Sequence, residues 1–206
     1  MEKHFTITIG RQAGSGGASF GRLLAEELGL SFYDKELLAI AAKESGIQED
    51  VFHEYDEKPT SSLIYSIVMN TYANWSASDY SLPTKSFQIL MDTIKKVAER
   101  ESCVIIGRCA DYALSNNSDT VSIFISAPED YKVKHIYDKY GYSKDEALKL
   151  MRSIDKNRRS YYENNTGKTW GDGSSYDLCI DISKLKKEDA VELVKSYLRL
   201  RGLWQD

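Results

Sequence analysis

The sequence has little cysteine and histidine. Its three cysteines are Cys103, Cys109 and Cys179, and no two of them have C-x-x-C spacing. An odd number of dispersed cysteines argues against a disulfide framework or a cysteine zinc site and fits a reducing cytoplasm. The three histidines are scattered and form no H-E-x-x-H motif, so we expect no histidine-based metal centre.

A surplus of positive charge and long hydrophobic runs are also missing. Lys and Arg number 27 against 31 Asp and Glu, which gives a net charge of −4. A general nucleic-acid binder usually carries a basic footprint, so that function is not expected. The apolar run near the first residue is too short for a signal sequence or a membrane span. We therefore expect a cytoplasmic protein with no nucleic-acid or membrane partner, and its oligomeric state stays open.

What is present is an ordinary globular balance of 42% hydrophobic and 28% charged residues in 206 residues. This length suits a single domain, here residues 1–206, with its own core. Five short apolar segments alternate with stretches of helical periodicity. The segments are residues 4–9, 30–33, 103–106, 120–125 and 176–182. This pattern predicts an α/β fold with a five-stranded parallel sheet flanked by helices.

The connection between the second and third predicted strands is unusually long. A crossover between parallel strands needs only about a dozen residues. Here residues 35–101 intervene, and apolar residues recur at helical spacing within residues 60–76 and 84–101. We therefore predict a helical insertion over about 35–101.

A glycine-rich loop follows the first predicted strand. Four glycines lie between Gly10 and Ser19, just before the predicted helix 20–28. A tight turn needs one or two glycines, whereas backbone N–H groups before a helix N-terminus suit a phosphate. The loop therefore favours phosphate binding over a simple turn.

Two phosphate-binding motifs compete for this loop. Gly14-x-Gly16-x-x-Ser19 matches the dinucleotide fingerprint except at its last position, and Asp34 follows the second strand where an acid could bind a ribose. This alternative predicts an NAD-dependent oxidoreductase. The P-loop, G-x-x-x-x-G-K-[ST], fails in its strict form because the loop contains no lysine.

Basic residues are concentrated late in the chain. Residues 149–159 hold five basic residues and one acid, and Arg152, Lys156 and Arg159 share one helix face by their spacing. Arg108 follows the third strand, where ligands of parallel sheets bind. These positions suit a multiply charged anion, although a solvated basic face and an Arg108–Asp111 pair are the simpler alternatives.

These motifs together resemble the cytidylate kinases, P-loop nucleoside-monophosphate kinases, and above all their divergent cytidylate kinase-like branch. Ile7-Thr8-Ile9, Gly14 and Gly16 match I-T-I-D-G-P-S-G-A-G-K-G-T, with Arg11 on its first P-loop glycine and Gly17 on its lysine. The branch carries R-Q-x-G-S-G-G, which the chain matches at Arg11-Gln12 and Gly14–Gly17.

Two further motifs extend the resemblance. Gly107-Arg108 matches the family's G-R-D, with Cys109 replacing the acid. Asp155, Asn157 and Arg158 match the lid motif R-x-x-x-D-R-N-R, with Lys156 for an arginine and Arg152 assigned to its leading arginine.

The resemblance implies a P-loop kinase fold, with the insertion binding the acceptor and a lid over about 138–168. It implies ATP and Mg²⁺ as cofactors and CMP or dCMP as the acceptor. ATP would be bound by Arg11, Gly14, Ser15, Gly16, Gly17, Ala18 and Ser19, and Ser19 would also hold Mg²⁺. Arg152, Lys156 and Arg158 would be catalytic, and Asp34 and Arg108 would bind the acceptor.

Three questions stay open at this point. Arg11 could supply the charge of the missing lysine, or the chain could bind a nucleotide without turning it over. Another small acceptor is possible because Cys109 and the insertion diverge from the family. Asp34 could equally serve as the N-cap of a helix starting at Lys35.

Overall fold

Five parallel strands form the centre of the computed structural model, which describes residues 4–46 and 82–205. The strands are β1 (Thr6–Arg11), β2 (Ser31–Tyr33), β3 (Cys103–Ile106), β4 (Thr120–Ser126) and β5 (Leu178–Asp181). Their order is β2-β3-β1-β4-β5, and every neighbouring pair is parallel. The predicted five-stranded parallel sheet is confirmed.

Helices cover both faces of this sheet. They are α1 (Gly17–Leu28), α2 (Glu36–Ser45), α3 (Leu82–Arg100), α4 (Ala110–Ala113), α5 (Glu129–Tyr140), α6 (Lys144–Thr166) and α7 (Lys187–Leu200). Short 3-10 turns at Gly173–Ser175 and Ile182–Lys184 flank β5. Within the described ranges, no helix is both long and apolar enough to cross a membrane.

The alternation of side chains along β3 explains why both faces are apolar. Cys103 and Ile105 pack with α2 and α3 in one core, whereas Val104 and Ile106 pack with α1 and α7 in the other. Successive side chains on a strand point to opposite faces. A strand buried on both faces is therefore continuously hydrophobic, which is the pattern that predicted it.

Several boundaries differ from the sequence prediction. β1 continues through Gly10 and Arg11, and α1 begins at Gly17 rather than Phe20. The polar stretch 129–166 forms two helices, because Gly141 ends α5 in a left-handed conformation. The predicted helix at 84–101 corresponds to α3, while the pattern at 60–76 lies outside the described residues.

The N-cap alternative for Asp34 is wrong. α2 begins at Glu36, and its N-cap residue is Lys35 in a helical conformation without a side-chain cap. The backbone N–H of Asp34 donates to Glu36 Oε2 instead. The carboxylate of Asp34 is consequently available to another partner.

Candidate active site

The loop between β1 and α1 requires its glycines. Gly14 and Gly16 have φ angles of 77° and 83°, a region that side-chain-bearing residues rarely adopt. A Cβ on Gly14 would also lie 2.5 Å from the carbonyl oxygen of Lys132. The loop therefore passes close to the first turn of α5 and leads directly into the N-terminus of α1, whose first amides have no partner within the helix.

Arg11 and Gly17 are packed against each other within this loop. A Cβ on Gly17 would lie 2.6 Å from Cβ of Arg11 and 3.2 Å from Cβ of Ile125. Arg11 itself is only 7% exposed. The position that corresponds to the P-loop lysine thus has no room for a side chain, because Arg11 occupies the space beside it.

Side chains from α5 and α6 hold the front of the loop. The N–H of Ala13 donates to Asp155 Oδ1 at 2.6 Å, and Gln12 Oε1 accepts from Lys132 Nζ at 3.1 Å. Lys132 Nζ also lies 3.8 Å from Asp155 Oδ2. Burial raises the pKa of Asp155, although the Ala13 N–H and Lys132 act in the opposite direction. Sequence analysis did not single out Lys132, because its contacts depend on how α5 packs against the loop.

The structure separates the basic residues of α6. Arg158 is half-buried, and its Nη1 donates to the carbonyl oxygen of Arg11 at 3.3 Å. Arg152 is 63% exposed and pairs with Glu129 at 3.2 Å. Lys156 and Arg159 are exposed as well. The helix face that carries Arg152, Lys156 and Arg159 is therefore exposed. Among the basic residues of α6, Arg158 is the one that donates a hydrogen bond to the loop.

A cavity of about 250 Å³ lies between the loop and the α5–α6 hairpin. The loop side is formed by Arg11, Gln12, Ala13, Gly14, Gly16, Ala18 and Ser19, and Arg158 adds positive charge to it. The predicted ATP-binding residues Ser15 and Gly17 do not line the cavity. Their backbone N–H groups donate within the loop, to the carbonyl oxygen of Gln12 and to Ser15 Oγ, each at 3.3 Å. The opposite side is formed by His135, Ile136, Lys139, Tyr140, Tyr142, Leu150 and Ile154. This arrangement brings the predicted ATP-binding loop and one predicted lid residue to a common space.

Asp34 and Arg108 meet at the carboxyl ends of β2 and β3. Nη1 of Arg108 donates to Asp34 Oδ1 at 2.7 Å and to the carbonyl oxygen of Ile106 at 3.1 Å. The side chain of Arg108 is only 2% exposed. The simpler interpretation of Arg108 as a surface residue is therefore wrong, and its recorded acid partner is Asp34 rather than Asp111.

The backbone after β3 is strained. Gly107, Arg108 and Cys109 have φ angles of 67°, 56° and 55°, so two residues with side chains adopt the left-handed region in succession. Such strain costs about 1–3 kcal/mol for each residue and is concentrated at functional sites. The strained turn connects β3 to α4 and contains the buried Arg108.

A second, smaller cavity of about 20 Å³ lies between the carboxyl ends of β1 and β3. Arg11, Arg108 and Arg158 all line it, together with the buried acid Asp111. Asp111 Oδ2 accepts a 2.6 Å hydrogen bond from the hydroxyl of Tyr162, and burial raises the pKa of Asp111. Three arginines and one acid line this space, so its surroundings favour a negatively charged group.

Arg11 and Arg158 line both cavities. The two arginines therefore lie where the larger cavity, which we call the loop cavity, adjoins the smaller one, which we call the Arg108 cavity.

Ser19 is compatible with the predicted magnesium site. It is exposed in the first turn of α1, where its Oγ donates to the carbonyl oxygen of Gly16 at 2.8 Å and keeps its lone pairs for a cation. Mg²⁺ bound with nucleotides commonly takes few protein ligands and completes its shell with phosphate oxygens and water. No group of three or more His, Cys, Asp or Glu side chains among residues 4–46 and 82–205 could hold a metal by itself.

Comparison with known families gives a match to the cytidylate kinase-like family over residues 6–184. The chain belongs to this family. Curated proteins named cytidylate kinase include one from Methanopyrus kandleri, 23% identical over 199 residues and covering 92% of this chain and 91% of its own length. One from Pyrococcus abyssi is 27% identical over 192 residues, with coverage of 92% and 91%.

Solved structures support the same assignment of fold. An uncharacterized protein from Eubacterium ventriosum is 34% identical, with a TM-score of 0.72 and coverage of 96% of this chain and 99% of its own. A shikimate kinase from Bacteroides thetaiotaomicron has a TM-score of 0.53 at 15% identity, with coverage of 95% and 98%. Family membership and this fold support a kinase role for the chain.

The strand order argues against the dinucleotide alternative. In the dinucleotide-binding fold, the second strand pairs with the first, which brings its terminal acid beside the glycine loop. Here β3 lies between β1 and β2. Asp34 therefore faces Arg108 at the end of β3, and the oxidoreductase prediction lacks its structural basis.

Proposed function

We propose that the chain transfers the terminal phosphoryl group of ATP to a nucleoside monophosphate, most simply CMP or dCMP, and forms the diphosphate. The observation that carries this proposal is the sharing of Arg11 and Arg158 by the two cavities. Phosphoryl transfer requires in-line positioning of donor and acceptor and positive charge around the moving group. Two arginines shared by the phosphate loop and an arginine-lined cavity would supply this positive charge.

In this proposal the donor lies in the loop cavity. The amides of Gly14, Gly16, Ala18 and Ser19, which line this cavity, and the positive end of α1 bind its β-phosphate. Arg11 supplies the charge that a P-loop lysine would provide, since it fills the space beside Gly17. Ser19 would hold Mg²⁺, which neutralises charge on the phosphates when it is bound.

The acceptor presents its phosphate to Arg108, and its nucleoside lies outside the Arg108 cavity, which at about 20 Å³ has room for little more than a water molecule. Asp34 fixes one nitrogen of the Arg108 guanidinium at 2.7 Å, so the planar group is held in one orientation. A guanidinium fixed in this way suits a phosphate, which it can bind through two parallel hydrogen bonds. We propose that Arg108 binds the acceptor phosphate while Asp34 positions Arg108.

Arg158 is proposed to stabilise the phosphoryl group during transfer. Arg152 and Lys156 are exposed in this structure, and the proposal gives them a role when the α5–α6 hairpin moves over the bound phosphates. Such a movement would also exclude water and limit hydrolysis of ATP. A cytoplasmic location remains part of the proposal, because the three cysteines are free thiols.

The test is a coupled assay of ADP release with ATP, Mg²⁺ and, in turn, CMP, dCMP, UMP, AMP and GMP. We expect ADP release with CMP or dCMP above the background without acceptor. Arg158→Ala should lower turnover at least about 10³-fold, since one positioned arginine contributes that much to phosphoryl transfer. Its neighbour Arg159, exposed on α6, gives the matched control, and Arg159→Ala should stay within a few-fold of the wild type.

A second candidate function follows from the missing lysine. A chain without the P-loop lysine could bind a nucleotide as a sensor or interaction partner. ATP binding by calorimetry without turnover on any acceptor would support this candidate and contradict the kinase. Unchanged turnover in Arg158→Ala would contradict the role of Arg158 even if the kinase reaction is observed.

A further inference from the structure

Two exposed tyrosines form the far end of the loop cavity. Tyr140 is the last residue of α5 and Tyr142 lies in the turn to α6, and both line the cavity. They are 57% and 43% exposed. Because both line one end of the cavity that the phosphate loop forms, a ligand bound in that cavity can cover both rings.

The two rings form a broad aromatic surface. Their centroids are 5.9 Å apart and their planes are inclined by 34°. Nζ of Lys139 lies 5.2 Å from the centroid of the Tyr140 ring. Leu150 and Ile154 continue the apolar lining towards the loop. A flat, polarisable, uncharged group is the chemical class that fits such a surface.

The distance from the loop also fits a nucleotide. Lys132 contacts the loop at Gln12 and Gly14, and Tyr140 is eight residues further along α5. A helical rise of 1.5 Å per residue separates the two positions by about 12 Å. This separation is comparable to the span from the β-phosphate of a nucleoside triphosphate to its base.

The intervening residue His135 does not add a charge. Burial, together with Lys187 and Lys139, lowers the pKa of His135, so its ring is neutral at pH 7. A Cβ on Gly16 would lie 3.6 Å from its Cε1. His135 therefore extends the aromatic wall from Tyr140 towards the glycine loop.

We propose that Tyr140 and Tyr142 bind the purine base of the donor nucleotide by stacking. This inference rests on the proposed function, because it assumes that the triphosphate occupies the loop. Stacking recognises the π face that every base presents, and it depends little on hydrogen-bonding groups. The donor site therefore accepts ATP and GTP with similar affinity and binds the smaller pyrimidine nucleotides less tightly.

The test is calorimetric titration of the full chain, in the presence of Mg²⁺, with ATP, GTP, CTP and inorganic triphosphate. Tyr140→Ala and Tyr142→Ala should each weaken ATP binding about tenfold, a loss typical of one stacking contact. Their affinity for inorganic triphosphate should stay within about twofold, since it has no base to stack. Tyr142→Phe keeps the ring and should bind ATP like the wild type.

Tyr112→Ala is the matched surface control. Tyr112 is 37% exposed on α4 and does not line the loop cavity, so its loss should leave ATP binding unchanged. If the wild type binds ATP while both alanine variants bind it equally well, the stacking inference is overturned and the proposed function survives. ATP binding at least tenfold tighter than GTP binding would also overturn the inference. If neither ATP nor triphosphate binds the wild type, the proposed function fails as well.

Discussion

Replacement of Asp34 by asparagine is expected to destabilise the protein substantially. Asp34 Oδ1 accepts a 2.7 Å hydrogen bond from Arg108, whose side chain is only 2% exposed. Asp34→Asn keeps an oxygen acceptor at this position and removes the negative charge. The buried guanidinium then loses the negative charge of this partner, and a buried cation tolerates such a loss poorly.

The size of the effect follows from the exposure of the pair. Breaking a fully buried ion pair costs about 3–5 kcal/mol. The side chain of Asp34 is 29% exposed and the amide oxygen still accepts a hydrogen bond, so water and the new side chain recover part of this. We expect a loss of about 2 kcal/mol in the free energy of unfolding, which for a chain of this length lowers Tm by about 4–8 °C.

Glu129→Gln is the control for this substitution. It is also an exchange of an acid for its amide, in the pair between Glu129 and Arg152, whose side chains are 56% and 63% exposed. Exposed pairs contribute about 0–1 kcal/mol. Urea denaturation of both variants, with the m-value compared to the wild type, gives the two losses on one scale. Losses that agree within about 0.5 kcal/mol would refute the reasoning, because burial of Arg108 would then have no energetic consequence.

Three further outcomes are expected. Gly17→Lys restores the motif lysine but should lower stability by about 1–3 kcal/mol, because its Cβ would overlap Cβ of Arg11; Tm measures this, and Arg11→Gly, which removes that Cβ, should cost less stability in this variant than in the wild type. Asp111→Asn should become more stable relative to the wild type as pH rises above about 4. Burial raises the pKa of Asp111, so at higher pH only the wild type must keep a charged carboxylate at this position in the folded protein. Urea midpoints of the two proteins that change with pH in parallel would contradict this. Cys179 alone should react quickly with a thiol reagent in the native protein, since the other two thiols are buried; mass spectrometry of peptides identifies the labelled residue.

The fold could be predicted from the sequence because its signals are local. The apolar run 103–106 coincides with β3, since a strand buried on both faces must be hydrophobic at every position. Gly29 ends α1 in the left-handed conformation that favours glycine. The start of α1 was missed because its first residues are small, and their helical conformation depends on the loop rather than on apolar periodicity.

The candidate site could be predicted only where the topology is decisive. Asp34 and Arg108 follow β2 and β3, and the carboxyl ends of neighbouring parallel strands meet at one edge of the sheet, so their proximity was foreseeable. The contact of Arg158 on α6 with the loop was not foreseeable. Helical spacing identifies a face, but the packing of α6 against α5 and Ala13 determines which face contacts the loop. Arg152 lies three residues before Asp155, one fewer than in the lid motif, and this shift places it on the exposed side.

The missing lysine and the arginine in front of it are best understood as one change. Arg11 completes β1 opposite Ile125, and its side chain lies where a side chain on residue 17 would otherwise be. Because the two Cβ atoms would overlap, an arginine at position 11 requires glycine at position 17, and a lysine at 17 would require glycine at 11. In a comparison by sequence position with the usual P-loop, the chain differs at residues 11 and 17 and lacks the positive charge of the lysine. In the proposed function, Arg11 gives the loop a cation in place of the lysine, supplied from the strand that precedes the loop rather than from the helix that follows.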